Sequence, residues 1–134
     1  MKRQAEIQSR RVGAALVELA VCLPIIVMIV MATIECSSLL FCKQAMVQSA
    51  YEAAMVATKS DGTNAKALDA AQRVAQGRRI SGIQITFNPP NIDRVASGTV
   101  ISVSATAPSS ANRLITSGIF TSPTVSARAV MVRE

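Results

Sequence analysis

The chain has 134 residues, a formal net charge of +6, three phenylalanines, one tyrosine and no tryptophan. This length suits one small domain, and the shortage of aromatic residues predicts a modest core. Four of the 14 basic residues lie in the first 11 positions, and no basic patch interleaved with aromatic residues remains, which argues against a nucleic-acid partner. Because the chain has no histidine and no C-x-x-C motif, we predict no enzyme, no catalytic residue, no metal site and no cofactor.

The N-terminal part combines a basic leader with a long apolar run. Residues 1–13 are basic, and in residues 14–34 the only charge is Glu18. As a helix, this run is about 31 Å long, which matches the hydrocarbon core of a bilayer. Pro24 is tolerated in membrane helices. Basic residues precede the run and none immediately follows it, so we expect a single-pass membrane protein in contact with lipid, with its N-terminus in the cytoplasm and its C-terminal part outside.

Four interpretations of this segment compete. A cleaved secretory signal needs a shorter apolar core and a small-x-small site, which Met31-Ala32-Thr33 matches poorly. A lipoprotein signal needs its cysteine at the end of the apolar run, but most apolar residues follow Cys22. A plain membrane anchor fits the length and flanks but leaves Glu18 unexplained. Cleavage after Gly13 explains more, because it removes the leader and makes Ala14 the first and Glu18 the fifth residue of the mature chain.

This arrangement resembles the class III signal of type IV pilins and pseudopilins. The stretch G-A-A-L-V-E-L-A at residues 13–20 is followed by Leu23-Pro24, a long apolar run, I-E at residues 34–35 and L-L at residues 39–40. Together with the alanine-rich continuation, this pattern over about residues 10–58 resembles the TadE-like pseudopilins of tight-adherence pilus systems.

The resemblance implies a structural minor pilin or pseudopilin that takes part in assembly of a tight-adherence pilus or secretion apparatus used in cell adhesion. It also implies processing by a prepilin peptidase between Gly13 and Ala14. The expected partners are other pilin or pseudopilin subunits and the inner-membrane assembly platform. A different class of protein stays open, namely an uncleaved single-pass membrane-anchored protein whose extracytoplasmic part binds a ligand.

The two glutamates that flank the apolar run are the candidate assembly residues. The resemblance implies that Glu18 serves subunit assembly, and we expect it to pair with the new amino group of Ala14 on a neighbour. The alternative is that Glu18 reaches the membrane interface as a single charge. For Glu35, contact with the opposite headgroup region and contact with a partner subunit are both open.

The three cysteines lie in or just beyond the apolar run. Cys36 and Cys42 are six residues apart on the predicted helix, which separates them by about 9 Å of rise and points them to different sides, so they cannot bridge each other. Cys22, Cys36 and Cys42 are interpreted as small apolar side chains of a helix, and an intermolecular disulfide stays open as the alternative.

Beyond the apolar run, helical periodicity continues to Thr58, with a buried face and a polar face. The buried face comprises Leu39, Met46, Ala50, Ala53 and Ala57, and the opposite one Ser37, Gln44, Gln48 and Glu52. A turn at residues 59–64 leads to a second helix over residues 65–76, capped by Thr63 or Asn64 and ended by Gly77, with an Asp69–Arg73 pair. The apolar face of this helix consists of Ala67, Leu68, Ala71, Val74 and Ala75. Arg78-Arg79 is interpreted as a solvated turn.

The last third of the chain changes to a period of two. We predict strands over residues 83–88, 101–106 and 125–132, with a loop from Pro108 to Gly118 that includes a short helical turn at residues 111–115. The whole is an α+β fold, with a long N-terminal transmembrane and amphipathic helix, a second short helix and a small three-stranded antiparallel sheet, and it is pilin-like. The expected regions are a leader at 1–13, a transmembrane part at 14–35 and an extracytoplasmic domain at 36–134.

Overall fold

The computed structural model describes the backbone of residues 2–112 and 124–134, and the side chains from Gly13 onward within these ranges. Two helices and three strands follow one another along the chain: α1 (Lys2–Ala57), α2 (Asn64–Gly77), β1 (Gln84–Asn88), β2 (Val100–Pro108) and β3 (Thr124–Val132). Short 3₁₀ turns occupy Ile92–Arg94 and Ser109–Asn112. The predicted α+β fold, with its long apolar helix, second helix and antiparallel sheet, is confirmed.

The chain divides into two units, residues 1–36 and residues 37–134. The first unit consists of the N-terminal part of α1, in which every side chain from Gly13 to Ile34 is exposed. In the uncleaved chain this helix begins at Lys2, and residues 2–12 contain neither proline nor glycine. A helix that is apolar all round and exposed all round is typical of one that faces lipid.

In the second unit, the remainder of α1 contributes an alanine-rich face to the core. Met46, Ala50, Ala53 and Ala57 are fully buried, as the helical periodicity predicts, and Leu39 is half-buried. Ser37, Gln44 and Gln48 on the opposite face are exposed. Small side chains at helical spacing let another element approach the α1 backbone closely. This close packing compensates for the small number of aromatic side chains in the core.

Helix α2 begins and packs much as the sequence predicts. The Thr63 hydroxyl accepts a hydrogen bond from the Lys66 backbone amide at 3.3 Å, which is an N-cap, and Arg73 pairs with Asp69 at 2.7 Å. Ala67, Ala71 and Ala75 are buried. Leu68 was expected on this face but is 38% exposed, because it lies about 100° around the helix from Ala67.

The sheet has the order β1-β2-β3 with both pairs antiparallel. Phe87 of β1 pairs with Val103 of β2, which in turn pairs with Ala129 of β3. Strand β2 is central, and its Ile101, Val103 and Ala105 side chains are buried in the core. All three predicted strands are present, with ends shifted by one or two residues. A helical turn occurs at Ser109–Asn112, whereas the rest of the turn predicted at 111–115 lies outside the described residues.

Candidate processing and assembly segment

Gly13 stands on α1 where nothing in the fold requires a glycine. A β-carbon at this position would meet no atom within 4 Å, and the residue is exposed. In a helix interior, glycine costs about 0.5–1 kcal/mol relative to alanine. Packing among the described residues therefore does not account for Gly13.

Ala14 and Glu18 lie one helical turn apart on the same side of α1. Their separation of four residues corresponds to about 6 Å along the axis. Both are exposed. Among the residues whose side chains the structure describes, none makes a hydrogen bond or ion pair with Glu18. Within the described residues, the Glu18 carboxylate is thus exposed and makes no ion pair.

The surroundings of Glu18 are apolar. Leu16, Val17, Leu19 and Val21 all expose more than half of their surface. A carboxylate in such a neighbourhood is expensive to desolvate unless a positive group reaches it. The segment can therefore provide a single strong electrostatic contact within a large, otherwise nonspecific apolar surface.

Within the described residues, one helix is long and apolar enough to cross a membrane, and it covers Gly13–Ala57. The Thr33 hydroxyl of this helix donates to the Val30 carbonyl oxygen at 2.7 Å. Such a bond to the preceding turn satisfies a hydroxyl locally, without water. The polar Thr33 side chain is thus compatible with a hydrocarbon environment.

Glu35 differs from Glu18 in its environment. Its side chain is only 6% exposed, whereas the neighbouring Ile34 is 39% exposed. The two glutamates are 17 residues apart on α1, or about 26 Å along the helix, so the structure does not bring them together. Contact of Glu35 with a partner subunit stays a prediction.

The cysteines do not form a site in the part of the chain that the structure describes. All three are free, with Cys22 and Cys36 exposed and Cys42 buried. Burial raises the pKa of the Cys42 thiol above its usual value. No group of three or more histidine, cysteine, aspartate or glutamate side chains in the described ranges could hold a metal ion.

The sequence did not predict a second cluster, in which Arg78 contacts Phe41 and Gln48. The Arg78 guanidinium lies over the Phe41 ring, 5.7 Å from its centre, and donates a hydrogen bond to the Gln48 side-chain oxygen. The interpretation of Arg78-Arg79 as a solvated turn fits Arg79, which is exposed, but Arg78 covers an aromatic ring. The local pattern gave no signal for this contact, because it depends on the return of α2 along α1.

Comparison with known proteins supports the interpretation of the N-terminal half of the helix. Residues 13–55 match the family model of TadE-like proteins, a family associated with tight-adherence pili. No curated protein and no solved structure matches the chain. The match begins at Gly13 and includes Glu18, Glu35 and the buried alanine face of α1. The match over residues 13–55 confirms the resemblance to TadE-like proteins that the sequence indicates for this segment.

Proposed function

We propose that this protein is a structural minor pilin or pseudopilin that takes part in assembly of a tight-adherence pilus or secretion apparatus. In this proposal a prepilin peptidase cuts after Gly13, and the remaining helix holds the chain in the inner membrane with its N-terminus cytoplasmic. The observation that carries the proposal is the exposed Glu18 carboxylate within an apolar helix, five residues after a glycine that has no packing role.

Cleavage would provide Glu18 with its partner. The new α-amino group of Ala14 carries a positive charge below its pKa, which is near 8. A charged side chain at the centre of a membrane helix costs about 2.5–3.5 kcal/mol on an insertion scale, and less towards the helix end. Pairing Glu18 of one subunit with Ala14 of its neighbour removes two such costs at once and fixes an axial offset of about 6 Å between the helices.

Other subunits and the inner-membrane platform are the partners that this role requires. The exposed apolar side chains on all sides of residues 14–34 suit a helix that exchanges lipid neighbours for helix neighbours during assembly. The free energy of apolar contact changes little in this exchange, because lipid tails are about as apolar as the side chains of a neighbouring helix. The Glu18–Ala14 pair therefore supplies the specificity of the contact, and no catalytic step is needed.

Mass spectrometry of the mature N-terminus tests the processing step. In cells that contain the matching peptidase, we expect a chain that begins at Ala14. Gly13→Val should retain Met1, while the neighbouring substitution Leu16→Val should be cut normally. An intact N-terminus in the unsubstituted protein would contradict processing and favour the uncleaved membrane-anchored binding protein.

Substitution of Glu18 tests the assembly step separately. Glu18→Ala should still be processed but should fail to support pili, because the neighbour's amino group would be left in hydrocarbon without a counter-charge. Val17→Ala, on the adjacent exposed position, is the control and should assemble. Normal piliation by a processed Glu18→Ala protein would show that the pairing is not required.

A further inference from the structure

One end of the second unit is assembled from distant segments by a few polar contacts. The Ser38 hydroxyl donates to the Asn112 carbonyl oxygen at 3.2 Å, and the Asn112 side chain accepts from the Ser81 amide at 2.8 Å and donates to the Pro108 carbonyl oxygen at 2.9 Å. The Lys43 ammonium donates to the Ser126 carbonyl oxygen. These contacts define what we call the proximal end, which comprises residues 37–48, 76–84, 106–112 and 124–126.

The proximal end carries charge of one sign. Its charged residues are Lys43, Arg78 and Arg79, and it contains no aspartate or glutamate. The five acidic residues of the second unit all lie elsewhere in it: Glu52, Asp61, Asp69, Asp93 and Glu134. A surface with cations and no carboxylate attracts an anionic partner.

The proximal cations are also without carboxylate partners, in contrast to two cations elsewhere in this unit. Lys66 pairs with Asp61 and Arg73 with Asp69, each at 2.7 Å. Across the residues that the structure describes, neither Lys43 nor Arg78 nor Arg79 has a carboxylate within ion-pair distance. Their positive charge is therefore balanced only by neutral acceptors or solvent.

Exposed apolar side chains accompany these cations. Leu40 is 60% exposed and Phe41 is 48% exposed, and Phe41 lies under the Arg78 guanidinium. An aromatic ring beside cations is typical of surfaces that enter the headgroup layer of a membrane, because the ring is buried among acyl chains while the cations remain at the phosphates.

The connectivity limits how far Phe41 can lie from the membrane that α1 is expected to cross. Phe41 follows Glu35, the last residue of the expected transmembrane part, by six residues. Even a fully extended chain of this length spans no more than about 21 Å. This distance limit follows from the length of the chain alone. Its relation to the membrane rests on the insertion proposed above.

We propose that the proximal end binds the phosphate groups of anionic phospholipids on the extracytoplasmic face of the membrane, through Lys43, Arg78 and Arg79, with Leu40 and Phe41 in the headgroup layer. This contact orients the domain on the membrane before assembly. Each basic residue near an anionic surface favours docking roughly fivefold. Removal of both arginines should therefore lower the docking equilibrium about 25-fold, and added salt should weaken docking.

The test uses the full, uncleaved chain in nanodiscs, so that it does not depend on processing or on pilus assembly. Because the chain has no tryptophan, Ser81→Trp places a single reporter at an exposed position of the proximal end. A nitroxide attached to lipid headgroups quenches this reporter when the proximal end docks. We expect stronger quenching in nanodiscs of phosphatidylcholine with phosphatidylglycerol than in phosphatidylcholine alone.

Paired charge removals provide the specificity test. Arg78→Gln with Arg79→Gln should reduce quenching to the value found in phosphatidylcholine alone. Arg79→Gln by itself, at an exposed residue that supports no other contact, should give a roughly fivefold loss of docking and guards against misfolding of the double variant. Lys59→Gln with Arg94→Gln removes the same charge from exposed positions outside the proximal end and should leave quenching unchanged.

Two results would overturn the proposal. One is equal quenching with and without phosphatidylglycerol, which would mean that the cations serve another partner, such as an acidic protein segment. The other is an equal loss in the Lys59 and Arg94 variant, which would mean that net charge alone governs the contact. In either case cleavage after Gly13 and assembly through Glu18 could still hold, because their tests use different residues and readouts.

Discussion

A β-carbon at Gly62 would lie 2.8 Å from the carbonyl oxygen of Ala57, the last residue of α1. It would also approach the Lys59 carbonyl oxygen at 2.9 Å, to which the Gly62 amide donates a hydrogen bond of the same length. All of the contacted atoms belong to the backbone, so they cannot move aside as a flexible side chain would. The turn between α1 and α2 therefore depends on glycine for space rather than for a left-handed conformation.

Gly62→Ala should lower the free energy of unfolding by about 1–3 kcal/mol, because the turn must shift to relieve the overlap. The measurement is the midpoint of chemical or thermal unfolding of the full chain in detergent micelles. Gly77→Ala is the matched control, since a β-carbon at Gly77 meets nothing within 4 Å. If the two substitutions had equal effects, the close approach at Gly62 would not limit stability.

The second prediction concerns the alanine face of α2. Ala71 is fully buried in a cluster with Ala53, Ile101 and Val103, so a larger side chain has no space without displacement of α2 from α1 or from the sheet. Ala71→Leu should destabilise the fold by about 1–3 kcal/mol. Ala65→Leu adds the same atoms at an exposed position of the first turn of α2 and should change stability by less than about 0.5 kcal/mol. A stable Ala71→Leu protein would indicate a loosely packed core.

Local patterns account for the elements that the sequence predicted correctly. Met46, Ala50 and Ala53 recur at helical spacing, and Ile101, Val103 and Ala105 alternate along a strand, so each buried face is encoded within a few residues. The Thr63 cap and the Asp69–Arg73 pair are equally local. Gly13 and Glu18 lie within the residues that match the family model, and their roles in processing and assembly stay predictions.

Contacts between distant segments account for what the sequence did not predict. Arg78 over Phe41 joins residues 37 positions apart, and Asn112 reaches both Ser38 and Ser81. Neither contact has a periodic signal, because each depends on how α2 and the sheet pack on α1. Leu68 was assigned to the buried face because it is apolar, although the geometry favoured the smaller Ala67 and Ala71.

The third prediction uses the difference between the cysteines. Cys42 is buried, and burial raises the pKa of its thiol above 9.0, so both access and thiolate population are low near neutral pH. A water-soluble maleimide should label exposed Cys36 at pH 7.5 and label Cys42 only after denaturation, as peptide mapping by mass spectrometry would reveal. The Cys42→Ala protein provides the control for peptide assignment. Equal labelling rates at the two residues would contradict the burial of Cys42.

The raised pKa of Cys42 also predicts a pH dependence. The neutral thiol is favoured in the folded chain, so its contribution to stability is present below the unfolded-state pKa and is lost as pH rises through the higher folded-state pKa. The fold should therefore weaken on the alkaline side of pH 9.0, and Cys42→Ala should reduce that weakening. Unfolding midpoints of both proteins over an alkaline pH series measure the difference, which would be absent if Cys42 did not couple to folding.

The fourth prediction concerns the acid range. The Lys66 ammonium donates to Asp61 at 2.7 Å, and this hydrogen bond, followed by the lysine charge, lowers the pKa of the Asp61 carboxyl below 3.8. A lowered pKa stabilises the fold above the unfolded-state value and ceases to do so as pH falls through the folded-state value. The stability difference between the protein and Lys66→Gln should thus shrink below pH 3.8 and in high salt, because the pair is exposed. A difference that persisted under both conditions would not come from this ion pair.

The last prediction concerns Arg133, which follows β3 and is only 8% exposed. Its guanidinium donates hydrogen bonds to the carbonyl oxygens of Ile92 and Ser60, and its amide donates to the Thr99 carbonyl oxygen at 2.9 Å. The side chain therefore ties the end of the sheet to the turn after α1 and to the 3₁₀ turn at Ile92–Arg94.

Arg133→Met keeps much of the apolar stem but removes both side-chain donors, so the buried Ile92 carbonyl oxygen keeps only the Val95 amide as a donor, at 3.3 Å. Loss of the hydrogen bonds from the charged guanidinium should cost about 1–3 kcal/mol. Arg94→Met, at an exposed position in the neighbouring 3₁₀ turn, should stay within about 0.5 kcal/mol of the original stability. Arg133→Lys should fall between the two, because a single ammonium cannot reach both oxygens with the geometry of a guanidinium fork. If Arg133→Met were as stable as the original chain, apolar packing of the stem, rather than hydrogen bonding of the guanidinium, would account for the burial of this residue.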